Sequence, residues 1–307
     1  DLTHDFNENM SVDLGDEFVI AQEPEVLEPT GASRLRSNMD AIHNRAHVNF
    51  TTQLSRTYSL MAGYRNDLYN YDQSGAGSFS ALLDRVEHRV TANLRSQLRP
   101  GTTGILGYQY RVVDYTSDDS LTFGPYLNPE VRNSDSHYVY AGFDHSFTPE
   151  LLGSLRAGAQ FTSYDNVAAG VDDSTTSPYI DANLSYAYAK GSNIAVGLRH
   201  ERNQTDIAQV GGSLILDQET TSAYASVSHQ LTAKLTANFV GMYANSSFGD
   251  SLADTSDNFW SLGFNMSYQI NQYLLAETGY NFDDLDSDLG NRSFDRNRVY
   301  LGLKASY

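Results

Sequence analysis

The stretch Asn258-Phe259-Trp260-Ser261-Leu262-Gly263-Phe264-Asn265-Met266-Ser267-Tyr268-Gln269-Ile270 decides the fold. Trp260, Leu262, Phe264, Met266, Tyr268 and Ile270 share one side, and Ser261, Gly263, Asn265, Ser267 and Gln269 share the other. A period of two means an extended strand with one apolar and one polar face. The run is about twice the usual five or six residues of a strand in a water-soluble domain. At roughly 3.3 Å per residue and a tilt of about 45°, it rises about 28 Å, the thickness of a bilayer's hydrocarbon core. Asn271 and Gln272 turn the chain. It returns through Leu274, Ala276, Thr278, Tyr280 and Phe282, with Glu277, Gly279, Asn281 and Asp283 opposite. A hairpin of this kind spans a membrane.

Composition agrees with that reading. The chain has 307 residues, a net charge of −18, no Cys, one Trp, 21 Tyr and 23 Gly. Its mean hydropathy is −0.44, and no apolar run approaches the 18 or so residues of a transmembrane helix. A hydropathy scan calls such a chain soluble, but that inference fails for barrels, where half of every strand faces a polar lumen. Absence of cysteine excludes disulfides, thiolate catalysis, iron–sulfur ligation and covalent haem attachment. No signal peptide stands at Asp1, as expected of a mature or trimmed chain.

The hairpin recurs. Before each short turn stands an outward apolar anchor, and nine residues later an inward glycine: Phe6 with Gly15, Leu54 with Gly63, Leu98 with Gly107, Tyr188 with Gly197, Ile270 with Gly279. Phe147 and Leu231 hold the same place, with Gly158 and Gly241 arriving one or two residues late. Anchors repeat every 37 to 49 residues, so the unit is one hairpin with its loop. One set of connections is short and polar. The other set, near 22–40, 72–79, 116–136, 165–176, 203–217, 246–257 and 284–295, is long and acidic. Short turns on one side and long loops on the other mark a membrane barrel, and a soluble sandwich or propeller has no reason to alternate so. Outward aromatics gather near strand ends, Phe50, Tyr58, Phe147, Tyr188 and Tyr268 by the turns, Tyr110, Phe161, Tyr243, Trp260 and Phe282 by the loops. They read as two interfacial girdles.

The last strand, from Arg298, places Val299, Leu301, Leu303, Ala305 and Tyr307 outward. Alternating apolar residues ending on an aromatic resemble the insertion signal of Gram-negative outer-membrane β-barrel proteins. The resemblance implies that Leu301, Leu303, Ala305 and Tyr307 are read by the outer-membrane assembly machinery. It also implies a periplasmic C-terminus and short turns, extracellular long loops, and a wall against outer-membrane lipid. Within that superfamily the acidic, Tyr-rich hairpins resemble the putative β-barrel porins, which implies a channel and allows a homotrimer.

Seven upward and seven downward strands make fourteen, beginning near Asn9. Yet Leu2–Phe6 followed by Asn7-Glu8-Asn9 copies the end of a downward strand and its turn. Because single-chain bacterial barrels have even strand numbers, two accounts are open. Residues 1–8 lead into a 14-stranded barrel over 9–307, or an upstream segment completes 16 strands. The quality of the repeat favours 16.

The lumen phase carries charge. Arg65, Arg85, Glu87, Arg89, Arg95, Arg111, Asp144, Arg156, Asp181, Arg199, Glu201 and Glu277 fall inward as candidate pore-lining residues, with Arg45, Asp67, Asp283, Arg298 and Lys304. They read either as a field that selects small polar solutes passing by diffusion or as ladders bracing the wall. Inward glycines relieve curvature or make room for inward Tyr138, Tyr140 and Tyr300, the curvature account being preferred. Asp118-Asp119, the set Asp250, Asp254 and Asp257, and Asp283-Asp284-Leu285-Asp286-Ser287-Asp288 invite calcium, but solvated loop tips explain them more simply. Eight dispersed histidines propose no metal site. No cofactor is implied, no motif marks an enzyme, and there is no basic face for nucleic acid. Two functions stay open: a diffusion channel, or a structural barrel whose loops or lumen hold a partner such as a surface layer or a peripheral protein.

Overall fold

The computed structural model describes residues 1–21, 31–35, 40–168, 170–249 and 255–305. Fifteen strands form one antiparallel meander: β1 (Leu2–Asn7), β2 (Met10–Ala21), β3 (Ala41–Gln53), β4 (Tyr58–Tyr71), β5 (Arg85–Arg99), β6 (Thr102–Tyr115), β7 (Ser134–Ser146), β8 (Leu151–Tyr164), β9 (Ser174–Ala189), β10 (Ser192–Asn203), β13 (Gln218–Gln230), β14 (Leu235–Phe248), β15 (Ser256–Asn271), β16 (Leu274–Ser287) and β17 (Phe294–Ala305). Between β10 and β13 a separate two-stranded ribbon joins β11 (Gln209–Val210) to β12 (Ser213–Leu214). Among the described residues helix is confined to α1 (Phe79–Leu83), capped by Ser78, and a 3-10 turn over Pro129–Arg132. Every wall strand is hydrogen-bonded to its sequence neighbour, as an all-β up-and-down barrel wall requires.

The wall is curved, and its two faces differ as the alternation demands. Arg111 on β6 donates to the carbonyl of Arg202 on β10 at 3.0 Å, although three strands separate them in the sheet. A bond of that reach must cross the concave side. The convex side carries Val90, Leu94, Leu106, Val139, Leu184, Val196, Leu198, Phe239, Leu262 and Phe264, which keep between 39% and 60% of their surface exposed. A continuous band of Val, Leu and Phe around a wall far exceeds the apolar patches that water-soluble monomers tolerate. It is a lipid face.

Among the described residues the wall holds fifteen strands. Leu2–Asn7 is itself a strand, paired with β2 from Leu2↔Leu14 to Asn7↔Met10. β1 and β17 end the sheet order.

Gly241 departs from the inward set. It pairs with Leu262, and a Cβ there would meet Leu262 and Phe239 on the convex face. Gly107, Gly197 and Gly279 do face inward, and a tyrosine ring lies against each: Tyr140, Tyr224 and Tyr300, with a Cβ falling 2.1, 2.3 and 2.5 Å from ring carbon. At these three positions the glycine is a space-making residue, which displaces the preferred curvature account.

The long connections fold over the loop end of the lumen. Leu82, Leu83 and Leu121 make one small core with Ala208 and Leu214, and Ile207, Ile215 and Phe248 make another with Leu289. Arg132, 1% exposed, holds them together. It donates to the carbonyls of Leu82 at 3.3 Å, Thr205 at 3.1 Å and Ile215 at 3.1 Å, and also to that of Ile207. Burial pulls its guanidinium below the usual arginine range. Asp206 is a second knot. It accepts from Ser33 Oγ at 2.5 Å and Arg292 Nη2 at 2.6 Å, while its own N–H donates to Ala32 O. Three segments, 31–35, 203–217 and 288–293, are thereby tied into a cap.

Candidate functional site: a charged lumen beneath a loop cap

Register places the inward charges in rows. Arg65↔Arg89↔Arg111 lie directly opposite one another across β4, β5 and β6, continued by His47 on β3. One step toward the loops, Glu17↔Arg45↔Asp67↔Glu87 run across β2 to β5. One step further come His43↔Tyr69↔Arg85↔Tyr115. Like charges directly opposite destabilise a sheet, so the rows must be neutralised diagonally.

They are neutralised unevenly. Asp67, 2% exposed, takes Arg65 through Nε at 2.6 Å and Nη2 at 2.8 Å, and Arg45 Nε at 3.1 Å. Glu87 takes Arg85 at 2.8 Å, and Arg85 also donates to Leu83 O and lies 3.8 Å over the Tyr69 ring. Both carboxylates are thus committed. Arg111 is 3% exposed and, among the described residues, donates only to Arg202 O, leaving its buried Nε without a partner. Arg89 Nε is buried too, with no partner among the described residues. Among the described residues neither Arg89 nor Arg111 makes an ion pair.

These arginines line a cavity of about 390 Å³. Its wall brings together the expected residues Arg65, Arg85, Glu87, Arg89, Arg111 and Arg199, with Glu17, Arg45, Asp67 and Tyr69. Asn203, Gln204 and Gly31–Ser33 of the cap close it from the loop side. Glu201, 1% exposed, meets Arg199 at 3.3 Å, and Asp181 meets the same arginine at 3.9 Å.

Other expected residues lie elsewhere. Arg95 and Arg156 share Asp144, at 3.0 and 2.6 Å, nearer the short turns. Glu277 sits apart on β16, against Gly302. On β17, Leu301 and Leu303 are 85% and 72% exposed and Ala305 is exposed, while Tyr307 lies outside the described residues. Of the calcium candidates, Asp250 and Asp254 also lie outside them, and Asp257 accepts from Arg292 Nε at 2.8 Å. Asp283 accepts from Ser261 Oγ at 2.7 Å.

Arg202 was missed by reading strands alone. It sits at the loop end of β10, bonded to Ser177, to Asp217 at 2.9 Å and to Glu219 at 3.2 Å, and its backbone is clasped by Gln160. Tyr138 and Tyr179, ring to ring at 5.3 Å, pack inside the wall, with the Arg111 guanidinium 5.6 Å over the Tyr138 ring. A basic residue and isolated Ile207 and Ile215 inside a polar, acidic connection were the available signals.

A family model described as "Putative beta-barrel porin 2" matches residues 5–307. No curated protein matches the chain. Among solved structures, the outer membrane channel DcaP of Acinetobacter baumannii superposes with a TM-score of 0.53 at 12% identity, covering 97% of this chain and 98% of that one. The copper transporter OprC gives 0.54 at 12% identity, covering 98% and 56%, and BauA, the ferric preacinetobactin receptor from Acinetobacter baumannii, gives 0.55 at 10%, covering 97% and 56%. The chain thus spans little more than half the length of OprC and BauA. Identities this low establish shared architecture only.

Proposed function

We propose, since the chain belongs to the putative beta-barrel porin 2 family, that it is a channel of the bacterial outer membrane through which small polar solutes diffuse. One observation carries the reading. The concave face concentrates ionised side chains at membrane depth while the convex face is an apolar band. Charges at that depth are tolerated when they face water. The exposed Leu301 and Leu303 of β17 fit the alternating apolar signal read by the assembly machinery, and the resemblance to that signal implies a C-terminus and short turns on the periplasmic side. In this reading the arginines and carboxylates act as a field on the passing solute.

The cap favours a second reading, a barrel whose knotted loops hold a partner. Purified protein reconstituted in planar bilayers separates the two. Stepwise single-channel currents are expected. A barrel that is heat-modifiable in detergent gels, and so folded, yet never conducts would overturn the channel.

A further inference from the structure

We infer that the lumen holds a saturable binding site for an oxyanion, a carboxylate or phosphate group on a small solute, built by Arg89 and Arg111 beneath the cap residues Asn203 and Gln204. The inference deepens the channel reading by giving the solute a charge class. Three facts converge. Six arginines border the cavity, but its three carboxylates are Glu17, Asp67 and Glu87, and Asp67 and Glu87 already serve Arg45, Arg65 and Arg85. Arg89 and Arg111 stand directly opposite each other in the ladder, a like-charge pair that the sheet alone disfavours. Arg111 is almost wholly buried with an N–H that finds no acceptor among the described residues, and an orphaned buried guanidinium donor is costly.

An oxyanion between the two guanidiniums relieves the like-charge pair and the shortage of carboxylates, and a small turn of the Arg111 fork brings its orphaned Nε–H to the same acceptor. Each planar fork offers parallel N–H groups to two oxygens, and charge-assisted bonds of this kind are the strong ones. The cavity, about 390 Å³, falls within the size range of small-molecule sites. Asn203 and Gln204 add amides at its loop-side edge.

The test is calorimetry on the folded barrel in detergent, with succinate and inorganic phosphate as separate probes and glycerol as the neutral control. Saturable heat is expected for at least one anion and none for glycerol, and which anion binds identifies the head group. R89Q should weaken binding about ten-fold, the worth of one charge-assisted bond. R111K, which keeps the charge but not the fork, should weaken it as well, while R56Q in a short turn should not. No saturable heat with either anion, or binding unchanged in both R89Q and R111K, overturns the site. Bilayer recordings in potassium chloride keep the two claims apart. Conductance without binding removes the site and leaves the channel, and binding without conductance does the reverse.

Discussion

Tyr140 reaches across a whole strand to donate its phenolic hydrogen to Asn93 Oδ1 at 2.8 Å, and the residue it passes over is Gly107. Among the described residues the device occurs three times. Asn183 donates to Tyr224 Oη at 2.6 Å over Gly197, and Asn265 to Tyr300 Oη at 2.8 Å over Gly279. Each is one ladder row, Asn–Gly–Tyr, on three consecutive strands. The ring covers backbone that glycine leaves bare, and the amide fixes the ring flat against the wall.

Gly107→Ala should therefore be costly. Its Cβ would fall 2.1 Å from Tyr140 and 2.5 Å from Asn93 Oδ1, and overpacking of this kind typically costs about 1–3 kcal/mol. Gly241→Ala, whose nearest neighbour is Leu262 at 3.3 Å on the lipid side, should be milder. The temperature of heat-modifiable migration in detergent gels measures both, and equal shifts would reject the device.

Why some of this was legible in the sequence and some was not follows from range. Trp260 to Ile270 state their faces through next-but-one neighbours, so strand, phase, lipid face and turn asymmetry were readable. The Asn–Gly–Tyr rows need the register of three strands at once, and no local pattern sets that. The cap is less visible still, because Arg132 binds carbonyls, which carry no side-chain signature, and Asp206 meets Ser33 and Arg292 from distant segments. Strand phase showed Arg89 and Arg111 to be inward. That no carboxylate among the described residues bonds them depends on which neighbours Asp67 and Glu87 had already taken.

Two substitutions test the faces. Leu262→Arg should cost about 2–4 kcal/mol if the residue lies near the bilayer midplane. Thr51→Arg, inward and exposed, should be nearly neutral. Ser261 is a poor control despite facing inward, because it is buried and bonded to Asp283. Urea unfolding from lipid vesicles reads the difference, and equal costs would mean the faces are reversed.

Arg132→Met keeps the side chain's bulk and strips four carbonyls of their donor. Each buried acceptor left unsatisfied costs about 1–3 kcal/mol, and the cap has little apolar core to compensate. Protease cleavage within 203–217 should appear, and single-channel conductance should rise as Asn203 and Gln204 leave the lumen. An unchanged cleavage pattern would show that Asp206 and the small cores suffice.

Asp84 gives the cap a pH dependence. Burial pushes its carboxyl above the ordinary 3.8, against the hydrogen bonds from Ser80 Oγ and Tyr71 N–H that oppose the rise. A folded pKa above the unfolded one means this group favours the folded state at low pH. That contribution is lost as pH rises from 3.8 through the folded value, and is level above it. Asp84→Asn should therefore protect the 72–84 connection from protease at neutral pH, with the advantage vanishing near pH 3. An advantage of equal size at both pH values would assign it to something other than ionisation.

Charge selectivity should follow the unpaired arginines and not the net charge of −18. Acidic groups on the loops concentrate cations at the mouth in dilute salt, but their reach shrinks from about 10 Å at 0.1 M to about 3 Å at 1 M. Within the wall, Arg89 and Arg111 keep their short-range field at any salt. A weak anion preference is therefore expected at high salt, read as the reversal potential across a gradient at two mean concentrations. R89Q should lower it. D144N should raise it, because Asp144 now neutralises one of the two arginines, Arg95 and Arg156, that share it. Opposite shifts from two single-charge changes cannot come from altered pore width alone. Firm cation selectivity at high salt, indifferent to neutralising Arg89 and Arg111, would show that these arginines only brace the wall.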